Sequence, residues 1–388
     1  MSSNMFQILT LNNISPCGLE LFTENYVHGE KQEAPDGILV RSAAMQEMAL
    51  PASVKAIARA GVGVNNIPVE ACADKGIIVF NTPGANANAV KELTIAGLLL
   101  GSRKLAEGIQ WAASLSGKED LSKLVEKGKA QFAGPEIHGK SLGVIGLGAI
   151  GIQVANTAVS LGMEVYGYDP YVSVDAAWRL SRAIRRAQDI KDIFANCDYI
   201  TIHVPYMPAT KHMINAEAFQ AMKDGVRLVN FARGELVDNA AALEALKSGK
   251  LAAYVLDFPA QELMGVPGVT MLPHLGASTP ESEDNCARMA VSQLMDFLEN
   301  GNIHNSVNYP DVSMARSGGA RFGVCHKNIH GRLTQITNVF AKEQVNIENM
   351  TNKSRGEYAY TLIDCSAPSE NFTRALEEID GVIRVFSF

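Results

Sequence analysis

The most restrictive feature of this chain is Gly146-Leu147-Gly148-Ala149-Ile150-Gly151, a G-x-G-x-x-G run in a specific setting. An apolar stretch at 141–146 leads into it, and a helix-compatible stretch at 152–161 leads out. The first glycine permits a tight turn, and the second lets a pyrophosphate approach the backbone. The third allows close packing of helix on strand. The helix start then presents free N–H groups to the phosphates. The next apolar stretch ends at Asp169, 18 residues after Gly151. A carboxylate there accepts hydrogen bonds from both ribose hydroxyls and repels a 2′-phosphate. The expected cofactor is therefore NAD rather than NADP. Arg179, Arg182, Arg185 and Arg186 lie downstream and are read as a solvated helix face rather than a 2′-phosphate site.

The motif places a parallel α/β sheet in the middle of the chain. Strand-like runs at 141–146, 163–168, 199–204, 227–231, 251–258 and 269–272 alternate with turns and helical patterns, the mark of a doubly wound fold. Residues before 94 repeat the alternation, with apolar segments at 6–11, 37–40 and 76–80. A helical pattern spans 282–299, and polar, Pro- and Gly-containing sequence follows. The last 69 residues read strand, helix, strand, strand, helix, strand: the βαββαβ ferredoxin-like order. The expected organisation is a substrate-binding domain from 1–94 plus 286–306, an NAD domain at 95–285, a linker at 307–318 and a regulatory domain at 319–388.

Composition narrows the function classes. The net charge is -7 over 388 residues, so the overall field suits neither nucleic acid nor an anionic membrane. Apolar runs are too short to span a bilayer, and Met1 to Thr10 lacks the basic and apolar segments of a signal peptide. Six scattered cysteines form no C-x-x-C pair, which argues against a metal site and fits a cytoplasmic setting.

Three ionisable residues sit where α/β sheets place ligands: Arg233 after a strand, Glu262 five residues beyond Asp257, and His274 in a Pro/Gly loop. Hydride transfer between a nicotinamide and a 2-oxo acid needs a guanidinium fork for the carboxylate and a group titrating near neutrality for the hydroxyl proton. It also needs a carboxylate to hold that group charged when it acts as an acid. Arg, His and Glu supply these in turn.

With those residues in view, the sequence resembles the D-specific 2-hydroxyacid dehydrogenase family. The matching stretches are 146–151 with Asp169, His203-Val204-Pro205, Asn230-Phe231-Ala232-Arg233-Gly234, Asp257 with Glu262, and Pro273-His274-Leu275-Gly276-Ala277-Ser278-Thr279. The resemblance implies Arg233 as carboxylate ligand, His274 with Glu262 as the proton-exchange pair, and Asp257 as the holder of the nicotinamide carboxamide. It implies that Ala149, Ile150, Val204, Pro205, Phe231, Ala232, Gly276 and Ala277 line the cofactor. It also implies that Gly61, Val62 and Gly63 offer amides to the substrate carboxylate and that Arg41 serves its phosphate. Asn86 in the Asn-rich loop is read as orienting the substrate, and Lys129 is a further phosphate candidate, in its own subunit or across a dimer interface. Leu263 stands where the family often has Pro, and Ala43 where a second arginine is common.

The C-terminal region resembles an ACT regulatory domain. That combination implies reversible oxidation of 3-phosphoglycerate to 3-phosphohydroxypyruvate in serine synthesis, feedback by L-serine, and a homodimer or homotetramer. His326, Lys327, Asn328 and Asn346 match the serine-binding positions, with Ile329-His330 replacing the usual Arg-Pro. The alternatives are a hydroxypyruvate or glyoxylate reductase of the same family and, more remotely, an NAD-sensing corepressor-like protein.

Overall fold

The computed structural model describes residues 5–366 and 372–388; the first four residues of the Met1–Thr10 stretch lie outside the described residues. The chain divides into two compact units, one from 1–86 plus 280–388 and the other from 87–279.

The first unit opens with five parallel strands: β1 (Phe6–Leu11), β2 (Tyr26–Gly29), β3 (Gly37–Val40), β4 (Ala56–Arg59) and β5 (Ile78–Phe80). Their order is β2-β1-β3-β4-β5, the flavodoxin-like arrangement. β2 and β4 escaped the sequence reading. β4 carries Ala-Ile-Ala-Arg, four residues with little β-branching, yet Ala56 and Ile57 are fully buried. Its strand state comes from sheet neighbours on both sides rather than from intrinsic preference.

The second unit holds β6 (Ser141–Ile145), β7 (Glu164–Tyr168), β8 (Arg185–Arg186), β9 (Tyr199–Ile202), β10 (Val226–Asn230), β11 (Leu251–Leu256) and β12 (Val269–Met271). All pairings are parallel, in the order β12-β11-β10-β9-β6-β7-β8. The order reverses between β6 and β9, so the switch point lies beside the Gly146–Gly151 loop. The six strands expected from apolar runs are all present, within three residues at each end. The short edge strand β8 was not foreseen. Arg185 and Arg186 are exposed as expected, but on this strand rather than on a helix. The Arg185 Nη1 donates to the Tyr166 hydroxyl at 2.8 Å and lies 3.3 Å from the Glu164 carboxylate.

Two boundaries placed by composition, 94/95 and 285/286, fall inside continuous helices, Ala87–Ser102 and Pro280–Asn300. A composition shift carries no information about where a helix ends, because one helix can bury residues of very different polarity along its length. The 21-residue helix Pro280–Asn300 packs Val291, Leu294 and Phe297 into the core of the first unit. Phe297 is fully buried, its ring centroid 5.8 Å from Phe80 and 5.3 Å from Phe386. Truncating such a side chain to alanine costs about 3–5 kcal/mol.

The C-terminal part of the first unit is the expected βαββαβ: β13 (Ala320–Lys327), helix Arg332–Lys342, β14 (Ile347–Arg355), β15 (Tyr358–Cys365), helix Phe372–Glu377 and β16 (Val382–Ser387). The antiparallel order is β14-β15-β13-β16. Successive side chains alternate faces. Phe322 and Val324 meet the two helices, whereas Cys325, Tyr360 and Leu362 join the core that contains Phe297. The first half of the expected linker is correspondingly not solvent-washed. Val307 N–H donates to Val79 O at 2.9 Å, Ile303 and Val312 form a β-bridge, and Tyr309 is fully buried with its hydroxyl on Ala73 O at 2.8 Å. Its polar side chains masked this, since Asn308 uses its amide to bond Val79 N–H and Ile77 O.

Candidate active site

Three neighbouring strand ends of the second unit carry candidate site residues. Arg233 lies three residues beyond β10, Asp257 directly follows β11, and His274 lies three residues beyond β12. Parallel strands bring these ends to one edge of the sheet, where such folds hold ligands.

Asp257 is the buried member, 1% exposed. Its Oδ2 accepts the Gly276 N–H at 3.0 Å, and a Cβ at Gly276 would stand 3.2 Å from that oxygen. Burial raises its carboxyl pKa above the ordinary value, while Gly276, His274 and Arg233 pull the other way. Its Oδ1 is buried with no hydrogen-bond partner among the described residues. The Asp257 carbonyl accepts the His274 N–H at 3.0 Å.

His274 is exposed and takes φ +49°, a left-handed conformation uncommon for a non-glycine residue. Its ring sits 4.8 Å from that of Phe258, tilted by 49°. Phe258 was not singled out from sequence, although it adjoins Asp257. Arg233 is exposed, donates to its own neighbour's carbonyl, Ala232 O, at 2.6 Å, and has no carboxylate partner among the described residues. The Asn230 amide fixes this corner by donating to Arg233 O at 2.8 Å and accepting from Ala232 N–H at 3.1 Å.

Glu262 follows in the 3-10 turn Gln261–Leu263, where Leu263 is fully buried. Its Oε1 accepts from Asn239 Nδ2 at 2.8 Å, and no Glu262–His274 hydrogen bond exists among the described residues. The Asn239 bond is the main cause that holds the Glu262 carboxyl below its ordinary pKa. Asn239 stands 23 residues away, and no local signal marks it as a partner.

The dinucleotide loop keeps its expected form. Gly146 takes φ +93°, and a Cβ there would lie 2.7 Å from His203 O, so two adjacent strand ends meet only because this residue is glycine. A Cβ at Gly148 would meet nothing within 4 Å: open space lies over the start of helix Ala149–Ser160, whose cap has no side-chain hydrogen bond. The first amides of that helix, including those of Ala149 and Ile150, lack intrahelical partners. Gly151 is buried against the Gly146 carbonyl. Asp169 follows β7, with Oδ2 accepting Leu147 N–H at 2.9 Å and Oδ1 accepting Tyr171 N–H at 2.8 Å. Its carboxylate is thus anchored to the glycine loop. Val204 and Pro205 follow β9, and buried Phe231 and half-buried Ala232 follow β10. Ala277 follows Gly276 in the His274 loop. These features fit a dinucleotide: an open helix start for anionic phosphates, an acid beside it, and an unpaired buried acceptor at Asp257. His203 completes the switch point. Burial pushes its imidazole down to about 3; Nε2 meets Thr201 Oγ1 at 3.0 Å, and Nδ1 is buried with no partner among the described residues.

The remaining expected residues are described within their own units. In the first unit, the Gly61 N–H is taken by Arg59 O at 2.9 Å, so Val62 and Gly63 are the amides of that trio without a partner among the described residues. Asn81 supports the loop by donating to Val62 O at 2.7 Å. Asn86 has a buried Oδ1 with no partner among the described residues. Arg41 is half-exposed and ion-paired with Glu283, a residue the sequence reading did not consider. In the second unit, Lys129 is exposed and pairs with Glu126 at 2.5 Å.

The expected effector residues do not converge within one chain. His326 is 3% exposed with both ring nitrogens engaged, Nδ1 at 3.0 Å from Lys327 O and Nε2 at 2.9 Å from Thr361 Oγ1. Asn328 donates to Gly356 O at 3.0 Å. Asn346 precedes β14, beside Cys365 and Ser366, whereas His326 pairs with Ala359 at the other end of β15. Six strand residues separate these ends, about 20 Å.

Residues 96–276 match the family description "D-isomer specific 2-hydroxyacid dehydrogenase, NAD binding domain". A protein of Methanocaldococcus jannaschii named D-3-phosphoglycerate dehydrogenase is 40% identical over 271 residues, 68% of this chain; the matched part is 49% of that relative, so the chain spans about half its length. An Escherichia coli protein of the same name is 34% identical over 337 residues, covering 83% of this chain and 78% of the relative. Among solved structures, apo D-mandelate dehydrogenase of Rhodotorula graminis superposes with a TM-score of 0.68 at 25% identity, covering 80% of this chain and 100% of that one.

Proposed function

The chain belongs to the D-isomer specific 2-hydroxyacid dehydrogenase family, and from that premise we propose that it catalyses the reversible, NAD-dependent oxidation of 3-phospho-D-glycerate to 3-phosphohydroxypyruvate, the first step of L-serine synthesis. The observation that carries the reading is the row of strand ends: Arg233, Asp257 and His274 on β10, β11 and β12 of one sheet. When bound, NAD supplies the hydride acceptor. The Gly146-to-Gly151 loop and the helix start hold its phosphates, Asp169 its ribose, and Asp257 Oδ1 its carboxamide.

The chain's own residues do the rest. Arg233, free of a carboxylate partner, grips the substrate carboxylate with its fork. Neutral His274 takes the proton of the C2 hydroxyl in oxidation and returns it in reduction. Its left-handed backbone is held by the His274 N–H, which is shared between Asp257 O and Leu272 O at 3.0 Å each. Glu262, whose carboxyl the Asn239 donor holds below its ordinary pKa, is the carboxylate that stabilises the imidazolium. The Val62 and Gly63 amides, Asn86, Arg41 and Lys129 are the further substrate ligands of this reading. The C-terminal ferredoxin-like region is an ACT-type regulatory domain that responds to L-serine in a homodimer or homotetramer. Separated by about 20 Å along the sheet, His326 with Asn328 and Asn346 then belong to different halves of a shared effector site.

A second reading, a hydroxypyruvate or glyoxylate reductase, draws on the Arg41–Glu283 pair, which occupies the cation meant for a phosphate. One experiment separates the two: initial rates of NADH oxidation with 3-phosphohydroxypyruvate, hydroxypyruvate and glyoxylate, with and without L-serine. Faster turnover of an unphosphorylated acid overturns the first reading.

A further inference from the structure

A cavity of about 480 Å³ opens in the first unit, where the loop 305–311 faces the end of β14. Its size is that of a small-molecule site. Lys353 and Arg355 supply two cations, Asp311 one carboxylate, and Asn81, Asn305 and Ser306 the neutral polar groups. The Lys353 ammonium has no hydrogen bond or ion pair among the described residues, and Arg355 donates to Ser306 O. β14 is the exposed edge of its sheet, so this wall carries backbone groups with no strand beyond them.

The cavity wall is wired to the loop that carries Val62 and Gly63. Asn305 Nδ2 donates to Gln293 Oε1 at 2.7 Å, and Gln293 Nε2 donates to Asn81 O at 3.0 Å. Asn81 N–H meets Asn305 O at 3.3 Å, and Asn81 Nδ2 holds Val62 O at 2.7 Å. Gln293 is 8% exposed, so this relay runs through a largely dry region where hydrogen bonds are costly to break.

We propose that this cavity is a second anion site, for a small phosphate-bearing ligand seated on Lys353 and Arg355, whose occupancy acts through Asn305, Gln293 and Asn81 on the Val62–Gly63 amides. The binding half stands without the functional reading; the coupling half rests on it. An anion drawn to Arg355 competes with Ser306 O for the guanidinium, and Ser306 adjoins Asn305, so binding shifts the first member of the relay.

Calorimetry on the full chain with inorganic phosphate tests the binding half, and 3-phosphoglycerate in a parallel arm distinguishes free phosphate from a phosphorylated metabolite. Lys353→Met should weaken phosphate binding about tenfold, the value of one charge-assisted contact. Asp311→Asn should strengthen it several-fold, a gain that misfolding cannot produce. Phosphate affinity unchanged in both variants overturns the site. The coupling half is read in the KM for 3-phosphohydroxypyruvate at rising phosphate. The part of the effect that survives in Lys353→Met is competition at the substrate site; the part that is lost belongs to this cavity. Gln293→Met should keep phosphate affinity and lose the KM effect. A KM effect that survives intact in Lys353→Met overturns the coupling. Absence of any turnover of 3-phosphohydroxypyruvate defeats the functional reading and with it the coupling, while the calorimetry still decides the site.

Discussion

The guanidinium of Arg321 clamps the Asp364 carboxylate through Nε–Oδ1 at 2.5 Å and Nη2–Oδ2 at 2.7 Å, with both side chains closed to solvent. Its remaining N–H groups reach Asn300 O, Met314 O and Ala315 O at 2.9–3.1 Å, which ties β13 to the end of helix Pro280–Asn300. Every donor is therefore satisfied, the condition under which a buried ion pair is tolerated.

Removing one partner strands the other charge. Arg321→Met should cost about 3–5 kcal/mol in denaturant unfolding, whereas Arg321→Met with Asp364→Leu should recover much of that loss. Burial pushes the Asp364 carboxyl up, but the Arg321 bonds override it and hold it below the ordinary value. The stabilisation is thus full above the unfolded carboxyl's pKa and is lost as pH falls through the lower folded one.

His203 adds a second acid-sensitive element with a different origin. Its folded imidazole titrates near 3 because burial disfavours the charged form. Between that value and the ordinary pKa of about 6.5, the unfolded chain binds a proton that the folded chain refuses. Stability is complete above about pH 6.5 and declines as pH falls. From pH 7 to pH 5, wild type should lose about 2 kcal/mol more than His203→Gln, measured by chemical denaturation at the two pH values.

His274→Asn is the cleaner test of the proton-exchange role, since asparagine accepts the left-handed backbone that alanine would strain. Turnover should fall about 10²- to 10⁴-fold while NADH still binds, as followed by cofactor fluorescence. Turnover near wild type would exclude His274 as the acid–base group.

Asn239 is expected to set the acid limb of the pH profile. It is the first cause of the lowered Glu262 pKa, so Asn239→Ala should let that carboxyl rise. The acid limb of kcat/KM should then move to higher pH, with the basic limb in place. An unmoved acid limb would separate Glu262 from the proton-exchange step.

Glu283 competes for the cation assigned to the substrate phosphate. Glu283→Gln frees Arg41 from its ion pair and should lower the KM for 3-phosphohydroxypyruvate several-fold with little change in kcat. A KM that rises or stays constant would place the phosphate elsewhere.

Much of this protein was legible from sequence because its signals are local. A glycine forced to φ +93°, a carboxylate at the next strand end, alternating apolar runs and a βαββαβ tail are all written within short windows. Arg233 and His274 were found in the same way, just beyond apolar runs, whereas the role of Asp257 came only from the family resemblance. The partners were not legible. Asn239 for Glu262, Glu283 for Arg41, Gln293 for Asn81 and Asp364 for Arg321 stand between 23 and 242 residues away. No periodicity encodes such distances, because they arise when separate elements pack and each buried polar atom takes whichever donor the packing brings. The burial of Tyr309 and Asn308 follows the same rule: polar sequence reads as a linker until a neighbouring sheet supplies its hydrogen bonds. The sequence alone therefore determined the strand order's local pieces, the cofactor loop and the candidate reacting side chains. Tertiary packing alone decided the opposite shifts of the Asp257 and Glu262 carboxyls, the engagement of His326 and the cavity beside β14, because these depend on desolvation and on contacts between distant segments.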